Sequence, residues 1–345
     1  MIKPEQNIRV LLVDDSRLVR DMIRSILESE AGIVVVGEAS NGVEAIAKVA
    51  SLKPDIVTMD IEMPVMGGLE AIEKIIAEHP VPILVVTALN GVRTAFAAIT
   101  KGALDVIEKP DISPENMRAL IHKIRYLAKV DVFAHLQAMG NRDKTKSEGG
   151  GALEKGCAKG GIVAIAASTG GPQAIHAILS HLPASFPIPI VITQHIAEGF
   201  TQGMVDWLHN GTPLTVVMAG NGARLASGHV YVNPAEHSMR ISEQGMILLG
   251  RRDTSQLYNP SCNTLLFSVA TAFRKKAIGL IMSGMGDDGV AGMLAIKEAG
   301  GTTLAQDAAS SVVFGMNRIA VERGHIHKVI PLANIPDELM QRAGG

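Results

Sequence analysis

From Ile8 onward the chain alternates short apolar, β-branched runs with segments of helical period. The runs are IRVLLVDD, IVVVGEA, DIVTMDI, PILVVTA and DVIEKP. They are almost wholly apolar, as strands are when both faces of their sheet are covered. Such strands separated by helices predict a parallel sheet with crossover helices. Five units end near Lys109, and a final helix is expected from around Pro114.

From about residue 127 to residue 161 the chain becomes charged and glycine-rich, ending in NRDKTKSEGGGALEKGCAKGG. That composition reads as a linker. Its first part, VDVFAHLQAM, is more apolar; it either extends the preceding helix or docks on a neighbouring domain. A second series of strand-like runs follows at residues 162–167, 188–193, 229–232, 246–249 and 277–282, then TTLAQD near Thr303. The expected fold class is α/β with two doubly wound parallel-sheet domains: residues 1–126, a linker over 127–160, and residues 161–345.

A length of 345 residues suits two such domains. The formal charge of −2 and the 3% aromatic content give neither a basic stripe nor a stacking platform, which argues against a nucleic-acid partner. The first residues, MIKPEQNIRVLLVDD, lack the apolar core and cleavage site of a signal peptide, and no apolar run approaches the about 18 residues of a membrane span. A cytoplasmic protein without direct membrane insertion is expected. Cys157 and Cys262 have no metal-ligand spacing and read as ordinary thiols in a reducing compartment.

Carboxylates stand at strand ends in the first domain: Asp14 and Asp15 after the first strand, Asp60 after the third. In a doubly wound sheet these ends converge on one crevice, and three carboxylates there call for a hard cation such as Mg²⁺. Thr87 and Lys109 follow the fourth and fifth strands and bring a hydroxyl and an ammonium to the same rim. A helix-capping role explains any one of these residues, but not all five. Through VDDS, DIVTMDIEMPVMGG, VVTA and EKP, residues 7–126 resemble the flavodoxin-like receiver domain of two-component signalling proteins. The resemblance implies that Asp60 accepts phosphate from a histidine kinase of the chemotaxis type. It further implies that Asp14, Asp15 and Asp60 hold Mg²⁺, with Thr87 and Lys109 on the phosphoryl oxygens. One departure is Gly67-Gly68, where such domains often carry Asp-Gly.

In the second domain, AIAASTGGPQAI stops an apolar strand at Ser168, turns on two glycines and meets Pro172 where a helix begins. The turn is either a phosphate cradle or the site of a nucleophile. It lacks both G-x-G-x-x-G and the P-loop lysine, which disfavours the cradle. A nucleophile needs a base and an orienting acid. VITQHI places His195 after the next strand, and LIMSGMGDDG places Asp287 and Asp288 after a later one. Backbone N–H groups around Thr169, or near Met285, are candidates for stabilising an oxyanion. Ser168 as a helix cap and His195 as a structural residue are the bland alternatives. His325 and His327 would share one face of a strand, without a third ligand. Met282, Met285, Met293 and Met316 suit irregular core filling or a groove lining.

Residues 161–332 resemble the catalytic domain of CheB-type protein-glutamate methylesterases through AIAASTGGP, ITQHIAEGFT, SGMGDDGVAGM and AQDAASSVVFGM. The resemblance implies an α/β hydrolase-type methylesterase with Ser168 as nucleophile, His195 as base and Asp288 as third member, and no cofactor for the ester chemistry. It implies demethylation of glutamate γ-methyl esters on chemoreceptors in chemotaxis adaptation, with methanol as product, and glutaminase activity on receptor glutamines. The alternatives are a hydrolase or deamidase for another receptor-like complex, and a non-catalytic, phospho-regulated receptor-binding protein. YNPSCN at residues 258–263 stands where relatives usually carry HRPSVD, and Ala197-Glu198 where Pro-Pro is common; both departures alter the expected groove.

Overall fold

The computed structural model describes residues 7–88, 92–109, 113–140, 160–251 and 258–344. It divides into two units, Met1–Leu136 and Gln137–Gly345. Cys157 and most of the expected linker lie outside the described residues.

The first unit runs β1 (Ile8–Val13), α1 (Arg17–Glu28), β2 (Ile33–Ala39), α2 (Gly42–Leu52), β3 (Ile56–Met59), α3 (Gly68–Glu78), β4 (Ile83–Thr87), α4 (Val92–Thr100), β5 (Asp105–Glu108) and α5 (Pro114–Leu127). All five strands pair in parallel, in the order β2-β1-β3-β4-β5. Leu11, Val13, Val57, Met59, Ile83 and Val85 turn to one face and pack with Ala45, Ile72 and Ala95 from the helices. The alternate residues Val10, Leu12, Ile56 and Leu84 are equally buried, so the second face is covered as the apolar runs predict. The segment after α5 is a helix of its own, α6 (Val132–Gly140), whose first turn is capped by Asp131 Oδ1 accepting the Ala134 N–H at 3.0 Å.

The second unit runs β6 (Ile162–Ala167), α7 (Gly171–Leu179), β7 (Ile190–Gln194), α8 (Thr201–Gly211), β8 (Thr215–Met218), β9 (His229–Val232), β10 (His237–Ile241), β11 (Ile247–Arg251), α9 (Cys262–Phe273), β12 (Ala277–Ile281), α10 (Val290–Glu298), β13 (Thr302–Gln306), α11 (Met316–Glu322), β14 (Lys328–Ile330) and α12 (Ile335–Ala343). Seven strands form a parallel sheet in the order β14-β13-β12-β6-β7-β9-β8. The chain moves outward from β6 through β7 in one direction, and from β12 through β13 in the other. The C-terminal ends of β6 and its two neighbours therefore border the crevice where α/β sheets place their ligands.

The run at residues 246–249 does not join this sheet as expected. It becomes β11, paired antiparallel with β10 in a separate two-stranded sheet. The cause is one-sided burial: Met239, Ile241 and Ile247 enter the core while Arg240, Leu248 and Arg251 face outward. Strands β8 and β10 were not expected, their mixed exposure weakening the apolar signal, and the strand expected around His325 and His327 begins only at Lys328, as the edge strand β14. Among the described residues no helix is long and apolar enough to cross a membrane.

Candidate active site

The last rung between β6 and β7 pairs Ala167 with Gln194, so Ser168 and His195 are the next residues of two adjacent strands. The His195 N–H donates to the Ala167 carbonyl at 3.0 Å. On the other side, the Ser168 N–H donates to the Ser283 carbonyl at 3.0 Å, tying Ser168 to the loop after β12. Gly170 makes the turn at φ +76°, where a Cβ would fall 2.5 Å from Val312 and 2.9 Å from Ser283 Oγ. Helix α7 is capped by Gly170 without a side-chain bond, so Ser168 is not its cap. The Ser168 side chain is 8% exposed, and its hydroxyl makes no hydrogen bond to another described residue.

His195 Nε2 lies 2.9 Å from Asp288 Oδ2. A carboxylate only accepts, so in the neutral imidazole Nε2 carries the proton and Nδ1 keeps its lone pair. Asp288 is buried at 2% exposure and sits on the N-terminus of α9. Its carboxylate accepts from the Cys262 N–H at 2.6 Å, the Asn263 N–H at 2.9 Å and the Ser261 hydroxyl at 3.2 Å. Burial raises the Asp288 carboxyl, but the bonds from His195, Asn263 and Cys262 outweigh it and hold the group below the ordinary carboxylate range. Its neighbour Asp287 is exposed.

Thr169 is buried, and its carbonyl accepts from Ser283 Oγ at 2.7 Å. Met285 is half-buried in the turn after β12, which is anchored by Gly284 bonding to Val313 and Met316. Met282, Met293 and Met316 are core residues with no exposure. His325 and His327 do not share a strand: both precede β14, and their Nδ1 atoms face the Val290 carbonyl and Thr303 separately. The turn at His327 bends the chain before the short edge strand starts.

Three contributors escaped sequence reasoning. Gln194 Nε2 bridges the Ser168 and His195 carbonyls at 2.8 and 2.9 Å. Cys262 is fully buried with Sγ 3.6 Å from His195 Nε2, and burial followed by the Asp288 charge pushes its thiol well above the ordinary range. Tyr258 stacks on the His195 imidazole. The YNPSCN departure signalled only an altered groove; in the fold it supplies this ring and the helix N-terminus that holds Asp288. A cavity of about 600 Å³ opens beside them, lined by Arg240, Tyr258, Ser261, Asn263, Phe267 and Asp288.

In the first unit Asp14 and Asp60 are buried, and Asp15 is exposed. Oxygens of the three lie within 4.8 Å of one another. Lys109 Nζ stands 2.7 Å from Asp14 Oδ2 and 2.8 Å from Asp60 Oδ2. Burial, the largest cause, holds the Asp14 carboxyl above the ordinary range against its bond to Lys109, while the two carboxylates hold the Lys109 ammonium up against its own burial. Thr87 is buried beside this rim, its carbonyl accepting the Lys109 N–H at 2.9 Å. A Cβ at Gly68 would fall 2.0 Å from the Asp60 carbonyl oxygen, so glycine is required there, whereas Gly67 caps α3 without a side-chain bond.

Residues 163–339 match the family described as CheB methylesterase, and residues 10–122 match the response regulator receiver domain. The chain is 46% identical to a protein-glutamate methylesterase/protein-glutamine glutaminase of Paramagnetospirillum magneticum, across 98% of this chain and 96% of that one. It is 39% identical to one of Anaeromyxobacter dehalogenans, across 98% and 97%. Among solved structures, the Thermotoga maritima CheB methylesterase catalytic domain is similar at 35% identity and a TM-score of 0.52, covering 53% of this chain and 98% of that one.

Proposed function

This chain belongs to the CheB methylesterase family, and we propose that it hydrolyses glutamate γ-methyl esters on chemoreceptors with Ser168 as nucleophile. The observation that supports this most is the Asp288–His195 pair at 2.9 Å, on the strand end adjoining that of Ser168. Ser168 Oγ attacks the ester carbonyl as His195 Nδ1 takes its proton. The tetrahedral oxyanion is met by the backbone N–H groups of Thr169 and Met285. On collapse the C–OCH₃ bond breaks and the imidazolium returns its proton to the leaving oxygen, so methanol departs and an acyl-enzyme remains. Water, deprotonated by His195, then attacks the acyl carbon, and the proton returns to Ser168. A glutamine side chain enters the same route with ammonia as leaving group, which agrees with the second activity in the relatives' names.

The receiver unit makes this reaction conditional. Asp60 is the acceptor of a phosphoryl group from a histidine kinase, and Thr87 and Lys109 contact the phosphoryl oxygens. Asp14, Asp15 and Asp60 would hold Mg²⁺, which would neutralise charge during phosphoryl transfer; a cluster of three carboxylates with only oxygen donors fits a hard divalent cation. The unphosphorylated receiver restrains the hydrolase, and phosphorylation releases it by biasing a two-state equilibrium. Product analysis on receptor peptides carrying either γ-methyl glutamate or glutamine tests the chemistry. Glutamate appearing from the ester with the full chain, and not with Ser168→Ala, is expected; no product from either peptide with the phosphorylated protein contradicts it.

A further inference from the structure

Tyr258 is half-buried and lies against His195 with the two rings 5.3 Å apart between centroids and only 2° from parallel. The same side chain reaches the loop after β12. A Cβ placed on Gly286 would fall 2.3 Å from its phenol oxygen. One residue thus touches the face of the base and the turn between Met285 and Asp288. Burial, followed by the Asp287 charge, raises its hydroxyl, so the phenol stays protonated through the neutral range.

We propose that Tyr258 is a positioning residue that clamps the His195 imidazole and the 285–288 turn together, and stabilises the imidazolium formed during acyl transfer. The inference rests on the proposed serine-hydrolase reading. Two contacts hold the ring: the Asp288 bond at Nε2 stops it flipping, and the stacked phenol closes one of its faces to water. With both satisfied, Nδ1 is fixed in direction. The charge argument is separate. Proton transfer from Ser168 makes the imidazole cationic, and a cation over an aromatic face is stabilised in a site sheltered from solvent. The phenol oxygen packs against Gly286 and so acts on the other partner, restraining the turn that carries the proposed Met285 oxyanion donor.

Two variants of the full chain separate these roles. Tyr258→Phe keeps the stacked ring and loses the phenol oxygen packed on Gly286; a fall in kcat of about 3- to 10-fold with an unchanged acid limb is expected. Tyr258→Leu loses the stack; kcat falls by about 10- to 100-fold with KM within about 2-fold, and the acid limb of kcat moves down by about half a pH unit. The shift is downward because removing the stack destabilises only the protonated ring. Proton NMR titration of the His195 imidazole in each protein reads the same shift without turnover, which keeps this test distinct from that of the hydrolase reading. A Tyr258→Leu protein with the wild-type His195 titration and kcat overturns the proposal, and so does a loss confined to KM, which would make Tyr258 a substrate contact.

Discussion

His195 presents Nε2 to Asp288 at 2.9 Å, which leaves Nδ1 as the lone-pair nitrogen of the neutral ring. The acid that orients it is held by α9, not by the strand that precedes it. Two backbone N–H groups and the Ser261 hydroxyl fix that carboxylate before any substrate arrives. In the proposed triad the two ring nitrogens are exchanged relative to the serine-protease arrangement.

Asp288→Asn is expected to lower kcat by about 10⁴-fold, because an amide presents the wrong hydrogen-bonding group to Nε2 or loses its helix N–H partners. It also changes the acid stability. The folded carboxyl lies below its unfolded value, so its contribution is complete above about pH 4 and is lost as pH falls through the folded value. Unfolding followed against pH should therefore show a shallower acid decline in the variant; an identical decline contradicts the assigned hydrogen bonds.

At the receiver site the sign is opposite. The Asp14 carboxyl is raised by burial, so its contribution to stability is present below the ordinary carboxyl range and is lost as pH rises through the folded value. Asp14→Asn should raise the thermal midpoint at pH 7 while abolishing phosphorylation of Asp60. Mg²⁺ should stabilise the wild-type protein by about 2.7 kcal/mol at a hundredfold excess over its Kd, and the variant much less. Thermal unfolding with and without Mg²⁺ checks both statements.

Gly170→Ala should cost about 2 kcal/mol or more, since alanine pays the left-handed backbone penalty and its Cβ meets Val312 and Ser283. The same clash displaces the Ser168 turn. A lower unfolding midpoint together with impaired ester hydrolysis is expected; an unchanged midpoint would contradict the φ of +76° at this turn.

Cys262 has no solvent exposure and a thiol raised far above the range in which thiolate forms. Native protein should leave Cys262 unmodified by iodoacetamide, with modification appearing on denaturation. Peptide mapping distinguishes it from Cys157.

The order of strands and helices was legible because apolar runs buried on both faces announce parallel strands, and the site residues stood at their ends. Asp14, Asp60 and Lys109 could be brought together from that rule alone, as could Ser168 and His195. The β10–β11 hairpin was not legible as such: Ile247 and Leu248 look like any apolar run until the partner strand shows that only one face is buried. Tyr258 and Gln194 were missed for a different reason. Their roles depend on contacts across 63 and 26 positions, His195 to Tyr258 and Ser168 to Gln194, which no local pattern encodes.

The most direct test is methanol release from methylated chemoreceptor by the full chain, with and without a small phosphodonor and Mg²⁺, beside Ser168→Ala. Release that rises with phosphodonor and falls by at least about 10⁴-fold in the variant is the predicted result. Release unaffected by Ser168→Ala, or absent although Asp60 is phosphorylated, would contradict the account.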